Sequence, residues 1–164
     1  MNLDVLDRKI VGMKLDKVDI ELVRLLQEDC KKTTKQYADA LHLSKTAVYE
    51  RIRRLERNGV ITRYAALVDK ESVGRDFMVL CQIRLVQHTK ENVLKFEREV
   101  LQLKEVSECF HVGGDYDYIL KIYVKDMKSY REFMVTKLTA IANIGNTQSS
   151  FVINEVKNSP SVHI

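Results

Sequence analysis

Chain breakers are scarce in this sequence, with one proline and six glycines in 164 residues. Together with 45% apolar and 30% charged residues, that scarcity excludes a collagenous, low-complexity or intrinsically disordered chain. Long hydrophobic runs are also missing. No stretch approaches the roughly 18 uninterrupted apolar residues of a membrane span, and the N-terminus lacks the basic-then-apolar layout of a secretory signal. No membrane partner is expected, and the cytoplasm is the default location.

Cysteine is limited to Cys30, Cys81 and Cys109, odd in number and without a Cys-x-x-Cys pair, which argues against a disulfide framework or a zinc site. All three are expected as core thiols. His42, His88, His111 and His163 are equally scattered, so no two of them share a helix face as metal ligands. A nucleophile with its base, a metal set and a phosphate-binding loop are likewise not visible. The expectation is a protein that is not an enzyme and carries no metal or cofactor.

What the sequence does have is charge in one place. From Leu43 to Arg63 there are six cations (Lys45, Arg51, Arg53, Arg54, Arg57, Arg63) against Glu50 and Glu56, and the remainder of the chain is neutral. A length of 164 residues admits one mid-sized domain or two small ones. The apolar pattern favours two.

In the first half, Leu15, Val18, Leu22, Val23 and Leu26 recur at helical spacing behind a capping Asp16, which predicts a helix over Lys17 to Glu28. Thr33 and Gln36 fit a capping box for a short second helix through Tyr37, Ala38 and Leu41. After the His42-Leu43 connection, Ser44 caps a third helix that stops at Asn58-Gly59. A helical rotation of about 100° per residue puts Val48, Ile52 and Leu55 on a core stripe. Thr46, Ala47, Glu50, Arg53, Arg54 and Arg57 are assigned to the opposite arc.

That arrangement suits a recognition helix in the major groove of double-stranded DNA. Lys45, Thr46, Tyr49 and Glu50 would approach base edges, with the carboxylate accepting from cytosine's exocyclic amine, while Arg53, Arg54 and Arg57 hold phosphates. A solvated arginine-rich face is the plain alternative. The order helix, short helix, turn and basic helix favours DNA, and Val60 to Val68 follows as a β-type segment whose Thr62-Arg63 centre would turn a wing.

The second half alternates differently. Phe77 to Val86 reads as a strand with Val79, Cys81, Ile83 and Leu85 on one face, followed by a helix burying Val93, Phe96, Val100 and Leu101. Val106 to Val112 and Tyr116 to Val124 read as strands around a Gly113-Gly114-Asp115 turn. A helix from Met127 to about Ile141 and a strand from Thr147 to Val156 complete β-α-β-β-α-β. This is a ferredoxin-like sheet with both helices on one side. The fold class is therefore α+β, a three-helix winged helix-turn-helix domain plus a ferredoxin-like domain. The boundaries are 14–64 (helix-turn-helix about 34–53), a linker strand over 65–75, and 76–157.

Helices cover one sheet face only, so a second copy is the simplest cover for the other, and a two-fold dimer would match palindromic DNA. At the hairpin, Gly113 to Tyr118 gathers two carboxylates and two tyrosines on flexible backbone. Asp117 is placed to hold a ligand's ammonium group while the glycine amides receive its carboxylate. A turn that merely packs at an oligomer contact remains the alternative.

Taken together, LDKVDIELVRLLQ, LSKTAVYERIRRLERNGVI, GGDYDYILK and DMKSYREF resemble the Lrp/AsnC (leucine-responsive, feast/famine) transcriptional regulators, from about Lys14 to Lys157. The resemblance implies sequence-specific DNA binding by the first domain, with Ser44 among the contacting residues. It implies that the second domain pairs as a homodimer, assembles into octamers or larger rings, and binds an amino acid effector between dimers. By position, Gly114, Tyr116, Asp117, Tyr118, Met127, Ser149 and Ser150 would border that effector site. His111 and Ser150 sit where family members vary, which leaves the preferred amino acid open. An architectural DNA-binding protein that oligomerises without sensing is the competing reading. Ahead of the resemblance, Leu3, Leu6, Ile10 and Met13 have heptad-like spacing, suggesting a short extra helix against a partner.

Overall fold

The computed structural model describes residues 14–164, so the extra helix expected around Leu3 to Met13 lies outside the described residues. Among the described residues the chain forms two compact units. One runs to Ala66 and takes in Asn158–Ile164, and the other is Leu67–Lys157.

The first unit contains α1 (Lys17–Glu28), α2 (Thr34–Leu41) and α3 (Lys45–Arg57). Each begins where a side chain can satisfy free backbone amides. Asp16 and Asp19 form a reciprocal capping box, as do Thr33 and Gln36, and the Ser44 hydroxyl accepts from the Ala47 amide at 3.1 Å. His42 closes α2 in the left-handed region (φ 54°), which lets the Leu43 amide reach the Ala38 carbonyl at 2.9 Å. That sharp reversal aims α3 away from α2. Leu22, Leu26, Tyr37, Ala38, Val48 and Leu55 are buried together, and Ile52 and Ile61 pack on them. The segment after Lys157 lies along α1, where the Gln27 amide exchanges two hydrogen bonds with the Val162 backbone at 3.0 and 2.7 Å.

Two expectations fail between the helices and the sheet. Neither the wing strand over Val60 to Val68 nor a linker strand over 65–75 forms; the Val60 and Ile61 amides bond the Leu55 carbonyl at 2.9 and 3.2 Å, and further on a turn forms in which the Arg75 amide bonds the Lys70 carbonyl at 2.8 Å. Strand-like residues need a neighbouring strand to take their backbone groups. Among the described residues a single chain offers none here, so Leu67 and Val68 stay 77% and 60% exposed.

The second unit has the expected order: β1 (Phe77–Leu85), α4 (Lys90–Val100), β2 (Val106–His111), β3 (Tyr118–Val124), α5 (Met127–Phe133) and β4 (Ile144–Phe151). The antiparallel sheet runs β2-β3-β1-β4, with Cys81 opposite Leu120 on one side and Ser149 on the other. Val79, Cys81, Ile83, Leu120 and Ile122 point into the layer beneath α4 and α5, where Phe96, Phe133 and Leu138 meet them. Each such fully buried side chain contributes about 1.5–3 kcal/mol, and this core holds the sheet edges in register.

Past Phe133 the last helix widens into a π turn over Met134–Leu138. The Thr139 amide and hydroxyl both bond the Met134 carbonyl, at 3.0 and 2.8 Å, and the wider turn brings Leu138 and Ile141 inward. β4 starts three residues earlier than expected because Gly145 fits against Val86, where a Cβ would come within 3.1 Å of its side chain. Of the thiols expected in the core, Cys81 is buried while Cys30 and Cys109 are exposed. Cys109 lies on the edge strand β2, which has a neighbouring strand on one side only.

Candidate functional site

The basic helix presents most of its expected contact residues outward. Ser44, Lys45, Thr46, Tyr49, Glu50, Arg53 and Arg57 are all exposed. Arg53 lies along the Tyr49 ring, 5.4 Å from its centroid, with its Nε donating to the Tyr49 hydroxyl at 3.1 Å and Nη1 reaching Glu56 at 3.4 Å. Tyr64 in turn donates to the other oxygen of Glu56 at 3.1 Å, and burial and that carboxylate push its hydroxyl up to about 12. Among the described residues, Lys45 and Arg57 have no carboxylate within ion-pair distance. Their charge faces outward unneutralised.

Arg54 is different. It was assigned to the phosphate-holding arc, yet its Nη2 lies 2.7 Å from both oxygens of Asp19, a carboxylate that is 1% exposed on α1. Arg51 binds the same Asp19 at 2.6 Å and Asp16 at 2.7 Å, and the Arg51 guanidinium holds the Asp16 carboxyl below its ordinary value. On a helical wheel Arg53 and Arg54 lie about equally far, roughly 130°, from the centre of the Val48-Ile52-Leu55 stripe but on opposite sides of it, and Arg54 is on the side of Arg51. Arg54 therefore joins α3 to α1, while its side chain keeps 41% exposure.

Asp19 itself carried a legible signal. It shares the i, i+3, i+7 stripe of Leu22 and Leu26, and a carboxylate on a buried stripe requires cationic partners.

The hairpin is tightly organised by its own chain. Gly114 takes a positive φ of 137°, and the Val112 and Asp117 amides bond the Asp117 and Ile83 carbonyls at 2.8 Å each. Tyr116 extends to Gln148 of β4 at 2.6 Å, beneath Arg84, whose guanidinium carbon is 6.0 Å from the ring centroid. Asp117 accepts from the Leu85 amide at 2.7 Å through Oδ2 and faces His88 Nε2 at 2.9 Å through Oδ1. Burial pushes its carboxyl up, but the Leu85 amide and His88 outweigh that and hold it below the ordinary value. Each oxygen thus already has one partner within the chain.

Other members of the expected effector set are dispersed. Tyr118 is a core residue, 1% exposed, donating to Glu97 at 3.0 Å and stacked on His111 at 4.6 Å. Ser149 faces the helices and meets the Tyr130 hydroxyl at 2.5 Å, while Ser150 pairs with Leu80 across the sheet. Met127, half exposed, follows the far end of β3 from the hairpin. Gly114, Tyr116 and Asp117 stay together. Seven residues spread in this way do not enclose a pocket in one chain. Two clefts of about 340 and 240 Å³ lie elsewhere in the unit, lined for example by Arg75, Glu105 and Lys137, and by Asp69, Asp76 and Glu155. His88 was not among the expected site residues, because nothing in the local sequence brings it to a carboxylate 29 positions away.

Among the described residues no group of three His, Cys, Asp or Glu side chains gathers as a metal set, and no helix is long and apolar enough to cross a membrane.

A helix-turn-helix with a basic third helix, joined to a ferredoxin-like sheet with a Gly-Gly-Asp-Tyr-Asp-Tyr hairpin, defines a class of DNA-binding protein that carries a ligand-binding domain. The AsnC-type helix-turn-helix domain matches residues 15–56, and the Lrp/AsnC ligand binding domain matches residues 78–162. The chain belongs to the Lrp/AsnC family of transcriptional regulators. It is 32% identical over 150 residues to the DNA-binding transcriptional activator DecR of Escherichia coli, covering 92% of this chain and 99% of that one. To the leucine-responsive regulatory protein of Haemophilus influenzae it is 35% identical over 143 residues, covering 87% and 86%. A transcriptional regulator of Neisseria meningitidis in complex with L-Met superposes with a TM-score of 0.87 at 30% identity, covering 92% of this chain and 97% of that one. An AsnC family regulator of Agrobacterium tumefaciens gives 0.87 at 31%, covering 91% and 97%. These relatives are DNA-binding transcriptional regulators, not enzymes.

Proposed function

We propose that this protein is a sequence-specific DNA-binding transcriptional regulator whose assembly and DNA affinity respond to an amino acid. The observation that carries the reading is the outward face of α3, where Lys45, Thr46, Tyr49, Glu50, Arg53 and Arg57 are exposed together above a well-packed core. Ser44, at the N-cap, contacts the DNA backbone at the start of that face. The protein acts in the cytoplasm, at the nucleoid. Its working division is a DNA-binding domain over 14–64, a connector over 65–75 and an effector domain over 76–157.

The effector domain pairs through the sheet face that its helices leave open, where Phe110 is 49% exposed and Leu80, Ile119 and Tyr123 are partly so. Homodimers then associate into an octamer or larger ring. The dispersal of Tyr116, Asp117, Met127 and Ser150 over one chain supports a site completed by a second one. An amino acid bound there shifts the balance between assemblies, and through them the DNA geometry. The L-Met complex of the Neisseria relative favours an amino acid as the class of ligand.

Sedimentation of the full chain with each of the twenty amino acids, alongside DNA binding at several salt concentrations, tests both halves. At least one amino acid changes the mass distribution and the DNA affinity together. If none does, and DNA binding persists with a steep salt dependence, the protein is instead an architectural DNA-binding oligomer, a reading favoured by the internal engagement of Asp117.

A further inference from the structure

A carboxylate proposed to receive a ligand's ammonium group is already in contact with an imidazole of its own chain. His88 Nε2 stands 2.9 Å from Asp117 Oδ1, while Oδ2 is held at 2.7 Å by the Leu85 amide. The Leu85 bond is part of the hairpin's attachment to β1. The His88 contact is a side-chain contact at the surface, with the imidazole 61% exposed against 20% for the Asp117 side chain.

The loop beneath the imidazole is fixed. The Gln87 amide donates to the Asn143 side chain at 2.9 Å, the Asn143 side chain donates back to the Gln87 carbonyl at 2.8 Å, and Asn92 of α4 donates to the Gln87 side chain at 3.1 Å. His88 is thus presented to Asp117 by a rigid base, yet its ring can swing away into solvent by side-chain rotation alone. One oxygen is permanently spent on the fold, and the other has a removable occupant.

We propose that the His88 imidazole is a resident occupant of the effector site, which must release Asp117 Oδ1 before an amino acid's ammonium group can bind there. The inference rests on the effector reading above. While it stays in place, the imidazole competes for the same oxygen. Affinity for the amino acid therefore rises when the side chain at position 88 no longer reaches Asp117.

His111, at the end of β2, also acts on Asp117 through space. It is therefore the control.

The test has two arms on the full chain. In the first, NMR compares the His88 ring signals without ligand in the parent and in Asp117→Asn. The signals move in the variant, and unchanged signals overturn the pairing. In the second, L-methionine is titrated calorimetrically, followed by the other nineteen amino acids if it does not bind. His88→Ala binds about tenfold more tightly than the parent, and His111→Ala binds as the parent does. Equal affinity of His88→Ala and the parent overturns the competition alone. Failure of all twenty to bind to any of the three proteins overturns the effector reading and this inference together.

Discussion

The two candidate sites are built in opposite ways. On α3 the supporting ion pairs lie behind the face: Asp19 draws Arg51 and Arg54 inward and leaves Lys45, Arg53 and Arg57 pointing out. At the hairpin the polar groups expected to meet a ligand are turned on each other, Asp117 to Leu85 and His88, Tyr116 to Gln148, and Tyr118 to Glu97. A duplex needs a convex charged surface, which one helix can supply. A small zwitterion needs an enclosure, and one chain here does not provide it. The candidate DNA-contact face is thus assembled within one chain, while the candidate ligand residues are not gathered by one chain.

That contrast breaks first at Asp19. Asp19→Ala leaves Arg54 without its carboxylate and Arg51 with Asp16 alone, and the first unit should lose about 2–3 kcal/mol in a denaturant titration, below the ~3–5 of a fully buried pair because Arg54 keeps 41% exposure. A loss under about 0.5 kcal/mol would place Asp19 among surface ion pairs.

Next in size is the separation of two neighbouring arginines. Arg53→Ala should weaken DNA binding about tenfold and reduce the slope of log affinity against log salt by about one, since a phosphate contact and its released counterion are lost. Arg54→Ala should leave that slope unchanged while lowering the first unit's stability. Equal slopes for both variants, each reduced, would return Arg54 to the DNA face.

A smaller effect belongs to acid. Because the Asp117 carboxyl lies below its ordinary value, its stabilising contribution is complete above the ordinary carboxylate range of about 3.9 and is lost as pH falls through the lower folded value. Thermal unfolding of the second unit should therefore fall off more steeply with acid in the parent than in Asp117→Asn. Matching acid profiles would mean that the carboxylate contributes nothing to the hairpin.

Smallest is Tyr118→Phe, which removes the hydroxyl bond to Glu97 but keeps the ring between Phe96 and His111. It should cost about 1 kcal/mol and leave effector binding intact. Lost binding with unchanged stability would put Tyr118 back at the ligand.

Local rules reached much of this. The capping residues Asp16, Thr33 and Ser44, the stop at Asn58-Gly59 and the alternation along β1 all depend on neighbours within a few positions, and they appear where the spacing puts them. Errors came where a distant partner decides. The segments Val60 to Val68 and 65–75 have strand-like residues but no strand beside them within one chain. Residue type alone did not separate Arg53 from Arg54, because their difference is the reach of a carboxylate 35 positions away.

By itself, then, the sequence determined the element order, the two cores and the basic helix, since periodicity and capping chemistry act over three or four residues. Only the tertiary structure decided which charges are available. An ionised side chain acts at a distance unless an opposite charge within about 3 Å neutralises it, and whether such a partner is present depends on how remote segments are brought together.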